Sequence, residues 1–292
     1  MIATDVPQLR SVPETLAPAS VRRIDAALEA IEQNHRVTIV LAIESGSRAW
    51  GFPSPDSDYD CRFLFFRRRD DYLSPWHKRD VIELPLDEEL DINGWDVGKA
   101  LKLLLKGNAV VIEWLTSPIT YRGDPRFRDE LLAFAARHAD RERLRRHYLH
   151  LGEKQRRTYF ADTKAVPLKK VFYALRPAAA LRWLRLHDME VPPMHFPTLM
   201  AECNPDAEVT MVVADLLLRK AQTRELGEAP IPAPLLRFID EEFAIARATS
   251  AGGATRIAGE AVTAAEALFR VMLTRSETHG AATVATASEP EL

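Results

Sequence analysis

The stretch ESGSRAWGFPSPDSDYDCR, residues 44–62, lies between two apolar runs, VTIVLAI at 37–43 and FLFF at 63–66. Both runs have the length and the β-branched or aromatic content of buried strands. Gly, Pro and Ser dominate the first part of the stretch, which indicates a loop. The sequence therefore predicts two strands joined by a long polar connection.

Two aspartates stand where the second strand begins. Asp58 and Asp60 are separated by one residue, and strand side chains alternate between faces, so both carboxylates point to the same side. A pair about 7 Å apart suits two divalent metal ions. The alternative is that both are turn residues before the strand. We favour the metal site, because Asp is depleted inside strands and is costly among apolar neighbours without a cation.

The connection also contains groups suited to phosphate. Gly46 lets the backbone approach a ligand closely, and Ser47 offers a hydroxyl and a backbone N–H to phosphate oxygens. Arg48 follows, and its guanidinium suits a forked contact with phosphate. An ion pair of Arg48 with Glu44 or Asp56 is nearly as good an explanation.

Gly-Ser, ten residues and then Asp-x-Asp resemble the signature of the DNA polymerase β-type nucleotidyltransferase superfamily. The longer pattern GSRAWG…SDYD is more similar still to one branch, the RNA-repair-pathway family of stand-alone nucleotidyltransferases. The resemblance covers roughly residues 35–190. It is strengthened by DINGWD at 91–96, KGN at 106–108, EWLTSP at 113–118 and KKVFYALRP at 169–177.

This resemblance implies transfer of a nucleoside monophosphate from a nucleoside triphosphate to an acceptor hydroxyl, with release of pyrophosphate. It implies that Gly46 and Ser47 hold the triphosphate. Asp58 and Asp60 would bind two Mg²⁺ ions, for which Mn²⁺ is a substitute.

Nucleotidyl transfer needs a third carboxylate, which orients the metal that activates the attacking hydroxyl or takes its proton. The resemblance aligns Asp91 with this catalytic and metal-binding role. Glu89 shares the face of Asp91 by the period of two. Asp96 is the other rival, although helix capping explains it better.

A long helix is predicted over residues 167–188. Lys169, Tyr173 and Arg176 fall at positions i, i+4 and i+7, on a face different from the apolar stripe. As the resemblance suggests, these three residues grip the triphosphate or the base.

Charge is distributed unevenly along the chain. Residues 136–185 contain 14 Lys and Arg against four Asp and Glu, whereas the whole chain has a net charge of −3. This asymmetry suits a polyphosphate or nucleic-acid partner, although solvated helix faces explain part of it. We expect RNA as the acceptor. The alternatives are a protein or small-molecule acceptor and a non-catalytic nucleotide-binding module, which the intact Asp-x-Asp disfavours.

Strand signals fade near residue 124, and helical periodicity follows. The predicted fold class is α+β: a small mixed sheet with an N-terminal helix at 1–124, an all-α domain at 125–275 and a disordered tail at 276–292. The nucleotide would bind in a cleft between the two domains. The later helices are predicted at 125–137, 140–160, 167–188, 207–225, 233–248 and 257–275.

Composition places limits on the class of protein. An apolar content of 47% in 292 residues is typical of a soluble globular protein. Cys61 and Cys203 are far apart, which favours a reducing cytoplasm over a disulfide framework. We find no apolar segment long enough to span a membrane, no secretory signal, and no G-x-x-x-x-G-K-[ST], H-E-x-x-H or G-x-S-x-G motif.

Overall fold

The fold is built on a five-stranded mixed sheet. The computed structural model describes residues 8–87, 89–160, 165–188, 190–223, 226–249 and 257–286. The sheet has the order β3–β4–β2–β1–β5, with β2 and β4 parallel and the other neighbours antiparallel. The prediction of a small mixed sheet is confirmed. Its strands are β1 (Val37–Glu44), β2 (Tyr59–Arg67), β3 (Val81–Glu83), β4 (Leu90–Asp96) and β5 (Thr120–Gly123).

Strand β2 shows why the register is unambiguous. Phe63 and Phe65 face one apolar cluster, which helix α1 (Pro18–His35) covers, while Leu64 and Phe66 belong to a second cluster on the other face. Each buried Phe contributes roughly 1.5–3 kcal/mol relative to an exposed one. A slip of one residue would also turn Arg62 into the first cluster.

Helices close the second face of the sheet and form the rest of the chain. Among them, α8 is surrounded by α7, α9 and α11 and is buried on most sides. The helices after α1 are α2 (Gly46–Ala49), α3 (Arg69–Leu73), α4 (Val97–Leu105), α5 (Ala109–Leu115), α6 (Pro125–His138), α7 (Arg141–Tyr159), α8 (Leu168–Leu186), α9 (Phe196–Cys203), α10 (Ala207–Gln222), α11 (Ala233–Thr249) and α12 (Gly259–Thr286).

Several short elements go beyond the sequence-based prediction. They are β5, α2, α3, α9 and a two-strand ladder of β6 (Val166–Pro167) and β7 (Glu228–Ala229). All have eight or fewer residues, and periodicity is informative only over windows of about 11 or more. Their positions are set by tertiary contacts instead.

The C-terminal helix also differs from the prediction. Helix α12 includes residues 276–286, which the sequence assigns to a disordered tail. The helix thus continues past residue 275, where the prediction ends it, and its first added turn is held by an ion pair of Glu277 with Arg69 at 2.8 Å. Residues 287–292 lie outside the described residues.

The division into domains at 124/125 stays a prediction. The second apolar cluster joins residues of the sheet, such as Leu64, to residues of α8, such as Phe172 and Trp183.

Within the described ranges, no helix combines the length and the apolarity that crossing a membrane requires.

Candidate functional site

The parallel pairing of β2 with β4 brings two carboxylates together. Asp60 lies opposite Asp91 in this register, and Asp58 is exposed just before β2. Burial is the largest effect that raises the pKa of Asp60. The carboxylates of Asp91 and Asp58 raise it further, while the nearby guanidinium of Arg62 lowers it. The three predicted carboxylates therefore belong to one electrostatic site.

The two rivals for the third carboxylate lie elsewhere. Glu89 accepts hydrogen bonds from Ser20 at 2.7 Å and from Arg23 at 2.7 Å, so it faces helix α1. Asp96 accepts from the Gly98 backbone N–H at 2.8 Å and caps α4, as predicted. Neither side chain contacts Asp60, which leaves Asp91 as the neighbour of the aspartate pair.

Gly46 lies directly against the carboxylate of Asp60. Its φ is +60°, and a Cβ added there would lie 1.9 Å from Oδ2 of Asp60. The Ser45 backbone N–H donates to the Asp60 carbonyl at 2.8 Å, which ties this turn to β2. Glycine is required here both for the left-handed backbone and for the space.

Glu44 is a buried carboxylate that sequence reasoning overlooks as a site residue. It is 0% exposed, accepts from the Tyr121 hydroxyl at 2.5 Å, and accepts from the Asp60 backbone N–H at 2.9 Å. Burial raises its pKa to about 7, against the opposing effect of these hydrogen bonds. Glu44 thereby holds Asp60 in place from behind. The signal that could have revealed it is an acidic residue ending an apolar strand.

Arg62 joins the two opposed carboxylates. Its Nη2 lies 2.8 Å from Oδ1 of Asp60 and 2.6 Å from Oδ2 of Asp91. Its Nη1 donates to the Asp91 carbonyl at 2.7 Å. The period of two places Arg62 on the face of Asp60, but no motif in the sequence marks an arginine at this position as a site residue.

The carboxylates fit a hard divalent cation in their chemistry. Asp58, Asp60 and Asp91 offer the oxygen ligands that Mg²⁺ prefers, and Asp60 and Asp91 already converge on one positive group. In the described part of the chain, however, no three His, Cys, Asp or Glu side chains form a ready ligand cluster. The three carboxylates are chemically suited to Mg²⁺, and Arg62 occupies the place between Asp60 and Asp91.

Arg48 stabilises the loop that carries Asp58. Its Nε donates to the Asp58 carbonyl at 3.1 Å, and its Nη2 donates to the Ser57 carbonyl. The guanidinium also lies 3.9 Å from the centre of the Tyr59 ring. Neither of the ion pairs considered for Arg48 is present, and it does not line the cleft described next. The contacts of Arg48 therefore stabilise the loop.

A cleft of about 440 Å³ separates the Gly-Ser turn from helix α8. Lys169 and Tyr173 line it together with Gly46 and Ser47. Ser47 donates its hydroxyl to that of Ser57 at 2.8 Å. The structure thus places the predicted phosphate-binding turn, Asp58, Asp60 and two of the three predicted α8 residues around one space.

Two further lysines line this cleft. Lys170 lies 4.8 Å and 5.0 Å from the ring centres of Tyr159 and Tyr173. Lys220 of α10 is only 7% exposed and lies 5.5 Å from the Phe52 ring centre. Lys220 is distant in sequence from the other site residues, so no motif points to it.

Arg176 is placed differently from the prediction. It is 8% exposed, does not line the cleft, and its Nη2 lies 2.8 Å from Oε1 of Glu113. The guanidinium also covers the Trp50 ring at 4.1 Å. Arg176 shares a helix face with Lys169 and Tyr173, as the spacing predicts, but Glu113 and Trp50 bury its guanidinium away from the cleft.

A mixed sheet with a Gly-Ser turn beside paired carboxylates defines a class, the polymerase β-type nucleotidyltransferase fold. In agreement, the model of the RNA repair pathway DNA polymerase beta family matches residues 21–270. The chain therefore belongs to this family. It is 40% identical over 223 residues to a Bacillus subtilis (strain 168) protein with the name "Uncharacterized protein YcgL". That match covers 76% of this chain and 85% of the relative.

Proposed function

We propose that the protein is a metal-dependent nucleotidyltransferase that moves a nucleoside monophosphate from a nucleoside triphosphate to a hydroxyl group of RNA. The observation that carries this proposal is the register of β2 and β4, which sets Asp60 opposite Asp91 beside the Gly-Ser turn. Family membership supports the same reaction class. Pyrophosphate is the second product.

The cleft supplies positive charge for the triphosphate. Lys169, Lys170 and Lys220 line it together with the Gly46-Ser47 turn. Two of these lysines stand in the first turn of α8, which has no acidic residue and no side-chain cap. Lysine side chains and the backbone N–H groups at a helix N-terminus both attract anions. A triphosphate is an anion that this end of α8 would attract.

The base would lie against Tyr173. This ring is 36% exposed, and it contacts the edge of Trp50 with ring centres 5.8 Å apart. A half-exposed aromatic ring suits stacking with any base. Tyr173 therefore supports nucleotide binding without selecting one nucleotide.

The carboxylates have two roles in the proposed reaction. Asp58, Asp60 and Asp91 would hold Mg²⁺, which activates the attacking hydroxyl and stabilises the leaving pyrophosphate. Asp91 would also accept the proton of the acceptor hydroxyl. Glu44 holds the Asp60 backbone in position throughout.

The RNA acceptor rests on the family description more than on charge. Many cations of residues 136–185 are paired inside the fold. Glu242, for example, lies 3.0 Å from Arg182 and 2.9 Å from Arg185. Glu142 similarly lies 2.6 Å from Arg145. The basic balance of this segment is therefore a weak argument for nucleic acid, and a protein acceptor is the outcome to test against.

The acceptor can be identified directly. Protein and Mg²⁺ are incubated with each nucleoside triphosphate labelled at the α-phosphate, against total RNA and against RNase-treated lysate. We expect label in RNA that RNase removes and protease does not. Protease-sensitive label in the lysate would instead establish a protein acceptor and contradict the RNA proposal. Asp60→Asn is the control for label that binds without transfer.

Gly46→Ala should weaken binding of both Mn²⁺ and nucleoside triphosphate by about tenfold or more, because its Cβ would displace a carboxylate that binds metal. Gly227→Ala is the matched control. Gly227 has φ +71° and open space around its Cβ position, so it shares only the left-handed strain of about 1 kcal/mol. Calorimetry that finds normal affinities in a folded Gly46→Ala protein would remove the turn from the site.

A further inference from the structure

The guanidinium of Arg62 makes most of the hydrogen bonds that it can make with groups inside the site. Nη2 contacts one oxygen of each opposed carboxylate, and Nη1 donates to the carbonyls of Asp91 and Cys61 at 2.7 Å and 3.1 Å. The side chain is 14% exposed. Arg62 is thus held between β2 and β4 by contacts to both strands.

This arrangement solves an electrostatic problem of the ligand-free site. Two half-buried carboxylates on neighbouring strands repel each other. One cation held between them offsets this repulsion. Arg62 therefore does for the ligand-free protein what a divalent cation would do for the loaded protein.

A divalent ion and Arg62 compete for the same oxygens. Mg²⁺ binds oxygen at about 2.0–2.1 Å and tolerates little distortion of its octahedron. The Nη2 atom now stands 2.6 Å and 2.8 Å from the carboxylate oxygens such an ion would use. Two cations cannot share these oxygens without strong repulsion.

We propose that Arg62 is an internal counter-cation that the metal must displace, and that the displaced guanidinium binds a phosphate of the nucleotide. This inference rests on the proposed function. Arg62 lines the same cleft as Lys169 and Ser47, so it can exchange a carboxylate partner for a phosphate partner within one site. Guanidinium groups bind both in forked geometry.

The exchange makes metal and triphosphate binding cooperative. A metal ion releases Arg62 for the phosphates, and a triphosphate that attracts Arg62 frees the carboxylates for metal. Because linkage is reciprocal, each ligand raises the affinity for the other by the same factor. The metal site stays weak until a nucleotide arrives.

The test is the Mn²⁺ affinity of the nucleotide-free protein, measured by electron paramagnetic resonance of the free ion. Arg62→Gln should bind Mn²⁺ about tenfold more tightly than the native protein, because the competing charge is gone. Arg62→Lys keeps the charge and should stay within about threefold of the native value. Lys170→Gln removes a cleft charge that contacts aromatic rings, and it should also stay within about threefold.

The cooperativity is measured on the same proteins. Mn²⁺ should raise the affinity for a non-hydrolysable triphosphate analogue strongly in the native protein, and about tenfold less in Arg62→Gln. Circular dichroism establishes that each variant is folded. An unchanged or weaker Mn²⁺ affinity in Arg62→Gln would overturn the inference, as would an equal gain in Lys170→Gln.

Asp60→Asn separates this inference from the proposed function. If Asp60→Asn weakens Mn²⁺ binding while Arg62→Gln leaves it unchanged, the metal site stands and the role of Arg62 is refuted. If Asp60→Asn binds Mn²⁺ as well as the native protein, the metal site itself is refuted, and the Arg62 inference is refuted with it.

Discussion

Asp60→Asn should lower the rate of nucleotidyl transfer by roughly 10³-fold or more, the range for loss of a principal stabiliser of transition-state charge. The fold should survive. Burial and neighbouring carboxylates raise the pKa of Asp60, so a neutral side chain costs little in the ligand-free protein. Arg62 retains Asp91 as a partner. The measurement is single-turnover transfer with Mg²⁺, together with the melting temperature.

Asp58→Asn should behave similarly, whereas Glu89→Gln is the matched control. Glu89 is an acid close to Asp91 in sequence, but its carboxylate contacts Ser20 and Arg23 of α1. We expect Glu89→Gln to retain native activity. Full activity in Asp60→Asn, or equal losses in Asp60→Asn and Glu89→Gln, would contradict the assignment of the carboxylates.

The second large effect concerns stability. Arg176→Ala should lower the free energy of unfolding by about 3–5 kcal/mol, because it leaves Glu113 buried without its cationic partner. The exposed pair of Arg237 and Glu208 is the control. Arg237→Ala should cost less than about 1 kcal/mol. Urea unfolding of the ligand-free proteins measures both.

A double variant tests whether the charge pair or the packing dominates. Glu113→Leu with Arg176→Met should recover much of the loss, since a buried ion pair is often replaced by apolar residues without cost. The Nε of Arg176 is buried without a hydrogen-bond partner among the described residues, which favours this outcome. Native stability in the Arg176→Ala single variant would show that the pair contributes little.

The sequence predicts the core of the site well where local spacing decides it. The Gly-Ser turn and the aspartate pair follow from apolar runs and a period of two. Asp91 follows from the family resemblance, and the parallel register of β2 and β4 then places it beside Asp60. The turn and the aspartate pair depend on short-range patterns, which a single sequence displays, whereas the place of Asp91 depends on strand pairing.

Positions that depend on tertiary packing are not predictable in this way. Helical spacing sets Lys169, Tyr173 and Arg176 on one face, but it says nothing about which part of that face another element covers. Glu113 and Trp50 bury Arg176, whereas Tyr173 stays half exposed. Lys220 of α10 also lines the cleft, and this position too depends on how the helices pack and not on local spacing.

A nucleotidyltransferase breaks the bond between the α- and β-phosphates of a nucleoside triphosphate, which distinguishes it from a kinase or a phosphatase. Parallel reactions with Mg²⁺ and RNA, one labelled at the α-phosphate and one at the γ-phosphate, test this distinction most directly. We predict that the α-label enters the RNA and the γ-label leaves as pyrophosphate, with both signals lost in Asp60→Asn. Transfer of the γ-label to the acceptor, or its release as inorganic phosphate without α-label in any acceptor, would contradict the account.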